Sequence, residues 1–217
     1  MSIFIINSYI TFPDLPPDQI ANAEAMSFNG TDQYINIPNS TDFNLGTAFT
    51  ISGWFNFSSN KYQGLVSFDA TSGGSPRGWF LFQISSSNDI RLFDGTTVFT
   101  LKTSYTTTNQ WDHFAVTYNG TYLVFYINGN QESIQAVSVD LQTNGNDGQI
   151  GNNQFSAGRF FDGKMDEVAI FNTALSGPKI QQIYDATAVV GGVPQTANLF
   201  TGGLSSSLVY WNRMGDS

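Results

Sequence analysis

Apolar positions that alternate with polar ones, separated by turn dipeptides, dominate the chain and predict β-strands. The pattern is sharpest in residues 112–131, where large apolar residues occupy every second position of Phe114–Tyr118 and Asn119-Gly120 follows. A near-continuous apolar run, Tyr122–Ile127, comes next and ends at Asn128-Gly129. Asn-Gly is typical of type I′ hairpin turns, because both central residues need positive φ. We therefore predict a three-stranded meander whose central strand is covered on both faces.

Shorter apolar segments recur along the rest of the chain, and turn residues separate them. They predict strands at Ala25–Phe28, Gln33–Ile37, Phe49–Phe57, Gly64–Phe68, Trp79–Ile84, Ile90–Phe93, Val98–Lys102, Ile134–Val139 and Lys164–Phe171. Many short strands indicate a sandwich or barrel rather than an α/β fold. One short helix is predicted after Ser176, with Pro178 in its first turn and Ile180, Ile183 and Tyr184 as its apolar stripe.

Three regions follow from these patterns. Residues 1–23 hold a β-like segment, Ser2–Ile10, and a Pro-rich connector, whereas residues 24–187 carry the dense strand signals. Residues 188–217 are rich in Gly, Ser and other small residues. We predict an all-β, two-sheet antiparallel sandwich of the jelly-roll type, with one short C-terminal helix and extended terminal arms.

Charge and composition exclude several classes of function. With eight Lys and Arg against 17 Asp and Glu, the formal net charge is -9, so a phosphate backbone would be repelled and no nucleic-acid partner is expected. The chain has no Cys, which excludes disulfides and thiolate metal sites. No apolar run reaches the roughly 20 residues of a membrane span, so we expect no membrane insertion. The apolar start, Ser2–Ile6, precedes the first basic residue, Lys61, and does not fit a secretory signal.

Five motifs, in order, resemble laminin-G-like domains of the concanavalin-A-like lectin and glucanase family. They are Met26–Ile35 (which contains F-N-G-T-D-Q-Y-I), Phe49–Phe55 (F-T-I-S-G-W-F), Trp111–Tyr118 (W-D-H-F-A-V-T-Y), Tyr126–Gly129 (Y-I-N-G) and Phe161–Phe171 (F-D-G-K-M-D-E-V-A-I-F). Each motif alone is weak, but five in order across about three quarters of the chain indicate the fold. The fold alone does not define the function, because it hosts lectins, adhesins, spacers and glycanases.

The two ends lie outside this match. Leu199–Gly203 and Ser207–Asp216 resemble sequence in laminin-G-like proteins of marine bacteriophages. This resemblance implies a virion structural, decoration or adhesion protein, with other virion proteins or cell-surface glycans as partners.

The family resemblance also implies a structural calcium ion between the loop after the first strand and the late Asp-Glu strand. Its ligands would be Asn29, Gly30 and Asp32, closed by Asp166. Calcium takes six to eight oxygen ligands, so backbone carbonyls would complete the shell. The alternative is that Asp32 only caps a turn and that Asp166 pairs with Lys164 or an amide.

Aromatic and basic side chains in or beside Gly- and Asn-rich loops are the candidate ligand contacts, because loops on rigid sandwiches carry function. They are Arg77, Trp79, Phe155, Arg159 and Phe160. Trp54 and Trp111 stand at strand positions and are expected in the core.

No catalytic residues are expected. His113 is the only histidine, and no G-x-S-x-G motif accompanies it. Glu occurs only at Glu24, Glu132 and Glu167, so the E-x-D-x-E run of glycanase relatives is missing. Asp166 and Glu167 are neighbours and would point to opposite faces of a regular strand.

These observations favour a non-catalytic bacteriophage virion protein, oligomeric or held in an assembly, that adheres through a lectin-like jelly roll. The alternative is a carbohydrate-binding lectin module outside a virion, extracellular or on a cell surface. A glycan-active enzyme ranks below both.

Overall fold

The computed structural model describes residues 17, 19–20, 22, 24–68, 80–139, 141, 145, 147–154 and 157–214. The first strands in chain order are β1 (Gln19–Ile20), β2 (Met26–Asn29), β3 (Ile35–Ile37), β4 (Phe49–Phe57), β5 (Gln63–Phe68), β6 (Phe80–Ile84), β7 (Ile90–Phe93) and β8 (Val98–Lys102). The later strands are β9 (Trp111–Tyr118), β10 (Tyr122–Ile127), β11 (Asn130–Ala136), β12 (Gly148–Ile150), β13 (Asp162–Phe171), β14 (Val189–Val190), β15 (Val193–Pro194), β16 (Thr196–Ala197) and β17 (Leu208–Asn212). The helices are α1 (Gly177–Ala186) and two short 3₁₀ turns, Thr41–Phe43 and Ser205–Ser207. The predicted segment Ser2–Ile10 lies outside the described residues.

Two antiparallel sheets form the sandwich. The seven-stranded sheet has the order β11-β10-β9-β4-β13-β17, and β2 pairs with the first half of β13. The six-stranded sheet has the order β3-β12-β5-β6-β7-β8. The predicted jelly-roll sandwich is confirmed, and so is the meander, since β9, β10 and β11 are consecutive neighbours.

The core between the sheets is aromatic. Phe57 contacts Phe161 with ring centroids 5.2 Å apart, and Tyr105 contacts Phe114 at the same distance, both in edge-to-face geometry. Side chains at alternate positions of β4 and β9 enter this core, as do those of Met165, Val168 and Ile170 in β13. The alternation follows from the pleat, which directs successive side chains to opposite faces.

A second apolar layer covers the outer face of the larger sheet. Ala169 and Phe171 of β13 pack there against Ile180 and Ile183 of α1 and against Leu199 of the C-terminal segment. Because both faces of this sheet are buried, β4, β9 and β13 have few exposed positions. The central meander strand β10 is covered less completely, because Tyr122 at its start is 45% exposed.

The C-terminal segment is part of the sandwich rather than a separate extended arm. In β17, Trp211 lies opposite Ala169 of β13, and β16 pairs with β1 near the start of the described chain. Its apolar residues cover a sheet face that would otherwise meet water. The strands of this segment are two to five residues long, too short for a recognisable period.

The helix begins where the sequence predicts. Ser176 precedes α1 in extended geometry but makes no side-chain capping hydrogen bond, and Pro178 occupies the first turn. Ile180 and Ile183 are buried, and Tyr184 stacks on Trp54 with ring centroids 5.6 Å apart.

Candidate functional site

Three segments meet at one end of the sandwich: the loop after β2, the loop between β4 and β5, and the stretch before β13. Asp162, the first residue of β13, lies opposite Asn29 at the end of β2. The backbone N–H of Gly64 donates to the carbonyl of Arg159 over 3.0 Å. The ammonium of Lys61 donates to the carbonyl of Gly30 over 2.6 Å. Strand pairing and these cross-links fix the three segments against one another.

A cleft of about 290 Å³ opens at this end, and we call it the loop-end cleft. Its lining residues are Met26, Ser27, Phe28, Asp32, Gln33, Tyr34 and Ile35. Phe28 is buried and packs edge-to-face on Phe161, with centroids 5.8 Å apart, so the apolar side of the cleft continues into the core. Asp32 and Gln33 are exposed, and Tyr34 is 46% exposed. The cleft therefore combines an apolar wall with polar groups that face solvent.

Two ring contacts link the loop segments that meet at this end of the sandwich. Tyr34 and Phe160 stack, with centroids 6.3 Å apart and ring planes inclined by 28°. In the residue before Phe160, the guanidinium carbon of Arg159 lies 3.7 Å from the centre of the Tyr62 ring. Phe160 and Arg159 were predicted from the sequence as ligand contacts, and ligand contact itself stays a prediction. The structure adds Tyr34 and Tyr62, which the sequence analysis missed because strand patterning explained Tyr34 and no motif marked Tyr62.

The loop after β2 is held by its own hydrogen bonds. The Asn29 side-chain oxygen accepts from the backbone N–H of Thr31 over 2.9 Å and from that of Asp32 over 3.2 Å. The Asn29 amide donates to the Asp32 carboxylate over 2.8 Å. The Gln33 side chain accepts from the Asn29 backbone over 2.9 Å. This Asx-type turn presents Asp32 and Gln33 to the cleft in a fixed geometry.

The structure does not bring the four predicted calcium ligands together. Asn29, Gly30 and Asp32 share the loop, but Asp162 rather than Asp166 faces Asn29 across the sheet. Asp166 lies four residues further along β13, about 13 Å away at the rise of an extended strand. The Lys61 ammonium also donates to the Gly30 carbonyl, one of the predicted ligands, and would repel a cation there. These residues do not fit that shell, and calcium binding elsewhere at this end stays a prediction.

Asp166 instead belongs to a polar cluster under the C-terminal segment. It accepts from the Asn22 amide over 2.8 Å. Its neighbour Glu167 accepts from the Thr196 hydroxyl over 2.7 Å and from the Trp211 indole N–H over 2.9 Å. Both carboxylates are buried, Asp166 completely and Glu167 with 5% exposure.

The expectation that Asp166 and Glu167 point to opposite faces is wrong. The register of β13 against β4 shifts between Asp166 and Ala169, and Glu167 has φ +51°. Such a bulge breaks the side-chain alternation, so both carboxylates lie on the outer face. Their partners Asn22 and Thr196 cover that face.

His113 lies on the same sheet face, far from solvent. It is 1% exposed and packs on Trp54 with ring centroids 5.4 Å apart. Burial lowers the pKa of His113 to about 3. Trp54 is in the core as predicted, but Trp111 is only half-buried and donates its indole N–H to the Gly192 carbonyl.

Three other predicted ligand residues lie outside the described residues, namely Arg77, Trp79 and Phe155. Over the ranges that the structure describes, no three His, Asp or Glu side chains gather closely enough to hold a metal ion. No helix in that part of the chain has the length and apolar character needed to span a membrane.

Comparison with known families decides the affiliation. A laminin-G-type family model, described as the concanavalin A-like lectin/glucanases superfamily, matches residues 29–181. The chain belongs to this superfamily. The matched range begins at Asn29, the last residue of β2, and ends within α1. It includes the cleft residues Asp32–Ile35 but not Met26–Phe28.

Several solved structures share the fold at low sequence identity. A candidate carbohydrate-binding protein of Bacteroides ovatus is 19% identical with a TM-score of 0.62, and the alignment covers 92% of this chain and 52% of that one. The chain thus spans about half the length of that relative. Domain 4 of the extracellular GH43 arabinanase AbnA of Geobacillus stearothermophilus, solved in complex with arabinotriose, is 16% identical with a TM-score of 0.59, covering 78% and 80%. A heptameric pentraxin of Limulus polyphemus is 14% identical with a TM-score of 0.51, covering 73% and 84%. A search of curated proteins found no match.

Proposed function

We propose that the protein is a non-catalytic carbohydrate-binding module and that the loop-end cleft holds the sugar. The observation that carries this proposal is the stacked pair of Tyr34 and Phe160 at a cleft that has an apolar wall and exposed polar groups. An aromatic platform of this kind offers an apolar surface for the C–H face of a sugar ring.

Polar groups for the sugar hydroxyls lie beside that platform. The Asp32 carboxylate accepts hydrogen bonds, and the Gln33 amide both donates and accepts them. The Asn29 turn and the Gln33–Asn29 hydrogen bond hold these groups in place before any ligand arrives. Such preorganisation reduces the entropy lost on binding.

The superfamily relatives support the same class of function. Among the solved structures, one relative is described as a candidate carbohydrate-binding protein and another was solved with arabinotriose bound. Both are too distant to transfer a ligand, so the cleft geometry carries the argument here.

The bacteriophage virion assignment stays a separate prediction. It was motivated by the resemblance of the tail, and this segment forms β17 and part of the outer layer of the sandwich. Packing of this kind gives the segment a structural role inside the domain. The carbohydrate-binding interpretation does not depend on whether the protein is part of a virion.

A glycan array followed by calorimetric titration of each hit tests the proposal. We expect Tyr34→Ala and Phe160→Ala each to weaken binding at least tenfold, because each removes half of the stacked pair. Tyr122→Ala is the matched control, since Tyr122 is 45% exposed against 46% for Tyr34 but lies at the opposite end of the larger sheet. The control is expected to bind as the wild type does.

Two outcomes would overturn the proposal. One is the absence of binding to any glycan by a folded protein. The other is binding that survives Tyr34→Ala and Phe160→Ala but is lost in Phe200→Ala. Phe200 is 67% exposed and contacts Trp211 edge-to-face with centroids 5.6 Å apart, so that result would move the sugar to the C-terminal segment.

A further inference from the structure

We propose that residues Ser2–Ile10 of this chain, called here the N-terminal segment, add as a further strand to the open edge of β17 and cover Phe200. The segment lies outside the part of the chain that the structure describes. This interaction surface is separate from the loop-end cleft and does not depend on the proposed function. The state of the β17 edge, the direction of the chain before β1 and the composition of the segment together carry the proposal.

β17 forms an edge of the seven-stranded sheet, because β13 is its only partner among the described strands. An edge strand leaves backbone N–H and C=O groups unpaired, and charged side chains, proline or a covering segment often protect such an edge. The sequence of β17, Leu208–Asn212, contains neither a charged residue nor proline. All five of its residues are only partly buried. The edge of β17 is therefore open to pairing with another strand.

The opposite edge of the same sheet, β11, is closed by side chains. Glu132 of β11 forms an ion pair with Lys102 of β8, which is an edge strand of the six-stranded sheet. The Ser133 hydroxyl of β11 also donates to the Leu101 carbonyl of β8 over 2.7 Å. A charge and cross-sheet bonds therefore protect the β11 edge, whereas β17 has no charged side chain of its own.

Exposed aromatic surface lies beside the edge of β17. Phe200 is 67% exposed, more than any other large apolar side chain that the structure describes. Its ring packs edge-to-face on Trp211 of β17, with centroids 5.6 Å apart, and Trp211 is itself only half-buried. A strand added along β17 would pair with the backbone of the edge and bury part of these rings.

The chain before β1 runs towards this surface. β1 pairs antiparallel with β16, with Gln19 opposite Ala197. The chain before Gln19 therefore leaves alongside the residues after Ala197, and Phe200 is three residues further along. Pro17 is buried. Residues 11–16 connect Pro17 to the N-terminal segment and span up to about 20 Å, which is enough to place the segment beside Phe200.

The N-terminal segment has the composition of a strand that needs burial. Its nine residues include four Ile, one Phe and one Tyr, and none is charged. β-Branched and aromatic residues favour strands. An uncharged apolar segment of this kind would aggregate if it stayed in water. Because the connector holds it close to β17, its local concentration there exceeds that of a second copy, so the chain's own segment is the occupant.

Disulfide trapping tests this placement cleanly, because the chain has no Cys of its own. Each residue of the N-terminal segment is replaced by Cys in turn and combined with Ser206→Cys. Ser206 is exposed and lies two residues before β17. We expect an intramolecular disulfide at one or two positions on the same face of the added strand. Their immediate neighbours should react at least fivefold more slowly, since successive side chains of a strand point to opposite faces.

Ser138→Cys is the matched control for Ser206→Cys. Ser138 is exposed and lies two residues after β11, at the opposite edge of the same sheet. Strand pairing places it at the same end of the sheet as Ser206. Five strand spacings separate β17 from β11, about 24 Å. We expect cross-linking to Ser138→Cys to be at least tenfold slower.

Deletion of residues 2–10 tests the burial of the edge independently. It should lower the melting temperature and raise the fluorescence of a dye that binds apolar surface at least twofold, because Phe200 and β17 lose their cover. In Phe200→Ser the same deletion should change both readings less, since part of the covered surface is already gone.

Three results would overturn the proposal. Disulfides formed only between two chains would make a second copy the source of the added strand. Equal cross-linking to Ser206→Cys and Ser138→Cys would show that the N-terminal segment is not held at β17. A deletion that leaves the melting temperature and the dye fluorescence unchanged would show that it covers no apolar surface.

Discussion

Glu167 provides the sharpest test of how the C-terminal segment is attached. Its carboxylate joins β13 to β16 through Thr196 and to β17 through Trp211. Both donors lose the Glu167 acceptor if Glu167 becomes Met, a side chain of similar length. A buried donor without a partner costs about 1–3 kcal/mol. Because Trp211 is only half-buried and reaches some water, we expect Glu167→Met to lower the free energy of unfolding by about 2–4 kcal/mol.

Glu167→Gln is the matched control. The Gln oxygen can accept from the Trp211 indole while the Gln amide donates to the Thr196 hydroxyl, which accepts as readily as it donates. The backbone strain at φ +51° is the same for Glu, Gln and Met, so it cancels in the comparison. We expect Glu167→Gln to cost about 1 kcal/mol or less.

Urea unfolding at pH 7, followed by tryptophan fluorescence and by far-ultraviolet circular dichroism, measures both variants. Equal m-values for the variants and the wild type would show that the difference lies in stability. If Glu167→Met and Glu167→Gln both unfold within 1 kcal/mol of the wild type, the two hydrogen bonds do not hold the segment, and this reasoning is refuted.

Three further predictions concern the backbone, the titration of the buried histidine and calcium. A Cβ at Gly163, where φ is +145°, would overlap the carbonyl oxygen of Asn56. Gly163→Ala should therefore lower the melting temperature markedly and reduce the free energy of unfolding by more than about 2 kcal/mol. An unchanged melting curve would contradict the close approach of the two strands. The pKa of His113 falls from 6.5 to about 3 on folding, so the unfolded state binds the proton more readily. The neutral, buried His113 therefore contributes fully to the free energy of unfolding above pH 6.5. This contribution is lost as the pH falls towards 3, at roughly 1 kcal/mol per pH unit. His113→Gln should remove that part of the pH dependence, and unfolding curves at pH 7 and pH 5 that shift equally in wild type and variant would speak against it. Calcium is expected to raise the melting temperature little in the wild type and more in Lys61→Met, because that substitution frees the Gly30 carbonyl from the ammonium. If a chelator lowers the melting temperature strongly in the wild type alone, a cation binds beside Lys61 and this expectation is wrong.

The strands of the sandwich were predictable because their patterns are local. Asn128-Gly129 follows β10 directly, with Asn128 at φ +50° and Gly129 at +76°. The type I′ signal therefore marked a turn that needs these angles. Alternation of apolar residues in Phe114–Tyr118 predicted a strand where β9 lies. Helix α1 also followed from local signals, since Pro178 occupies its first turn.

The course of the C-terminal segment was not predictable in the same way. Its contacts depend on residues that are far apart in the chain, such as Thr196 with Glu167 and Asn22 with Asp166. The bulge at Glu167 leaves no sequence signal either, because Glu is not a residue that favours positive φ. An expectation based on regular alternation therefore failed at this position.

In the candidate site too, local features were predictable from the sequence and contacts between distant segments were not. Phe160 and Arg159 were identified from their place beside a Gly- and Asn-rich loop, a local feature. Their partners Tyr34 and Tyr62 come from other loops, and strand pairing brings them together only in the folded sandwich. The sequence therefore identified the segment that holds Arg159 and Phe160, but not the residues of other segments that contact it in the folded protein.

A crystal structure of the protein with the tightest-binding oligosaccharide from the glycan array tests the central claim most directly. The account predicts a sugar ring stacked on Tyr34 and Phe160, with its hydroxyls near Asp32 and Gln33. A fully occupied sugar bound elsewhere, with the loop-end cleft filled only by solvent, would contradict it.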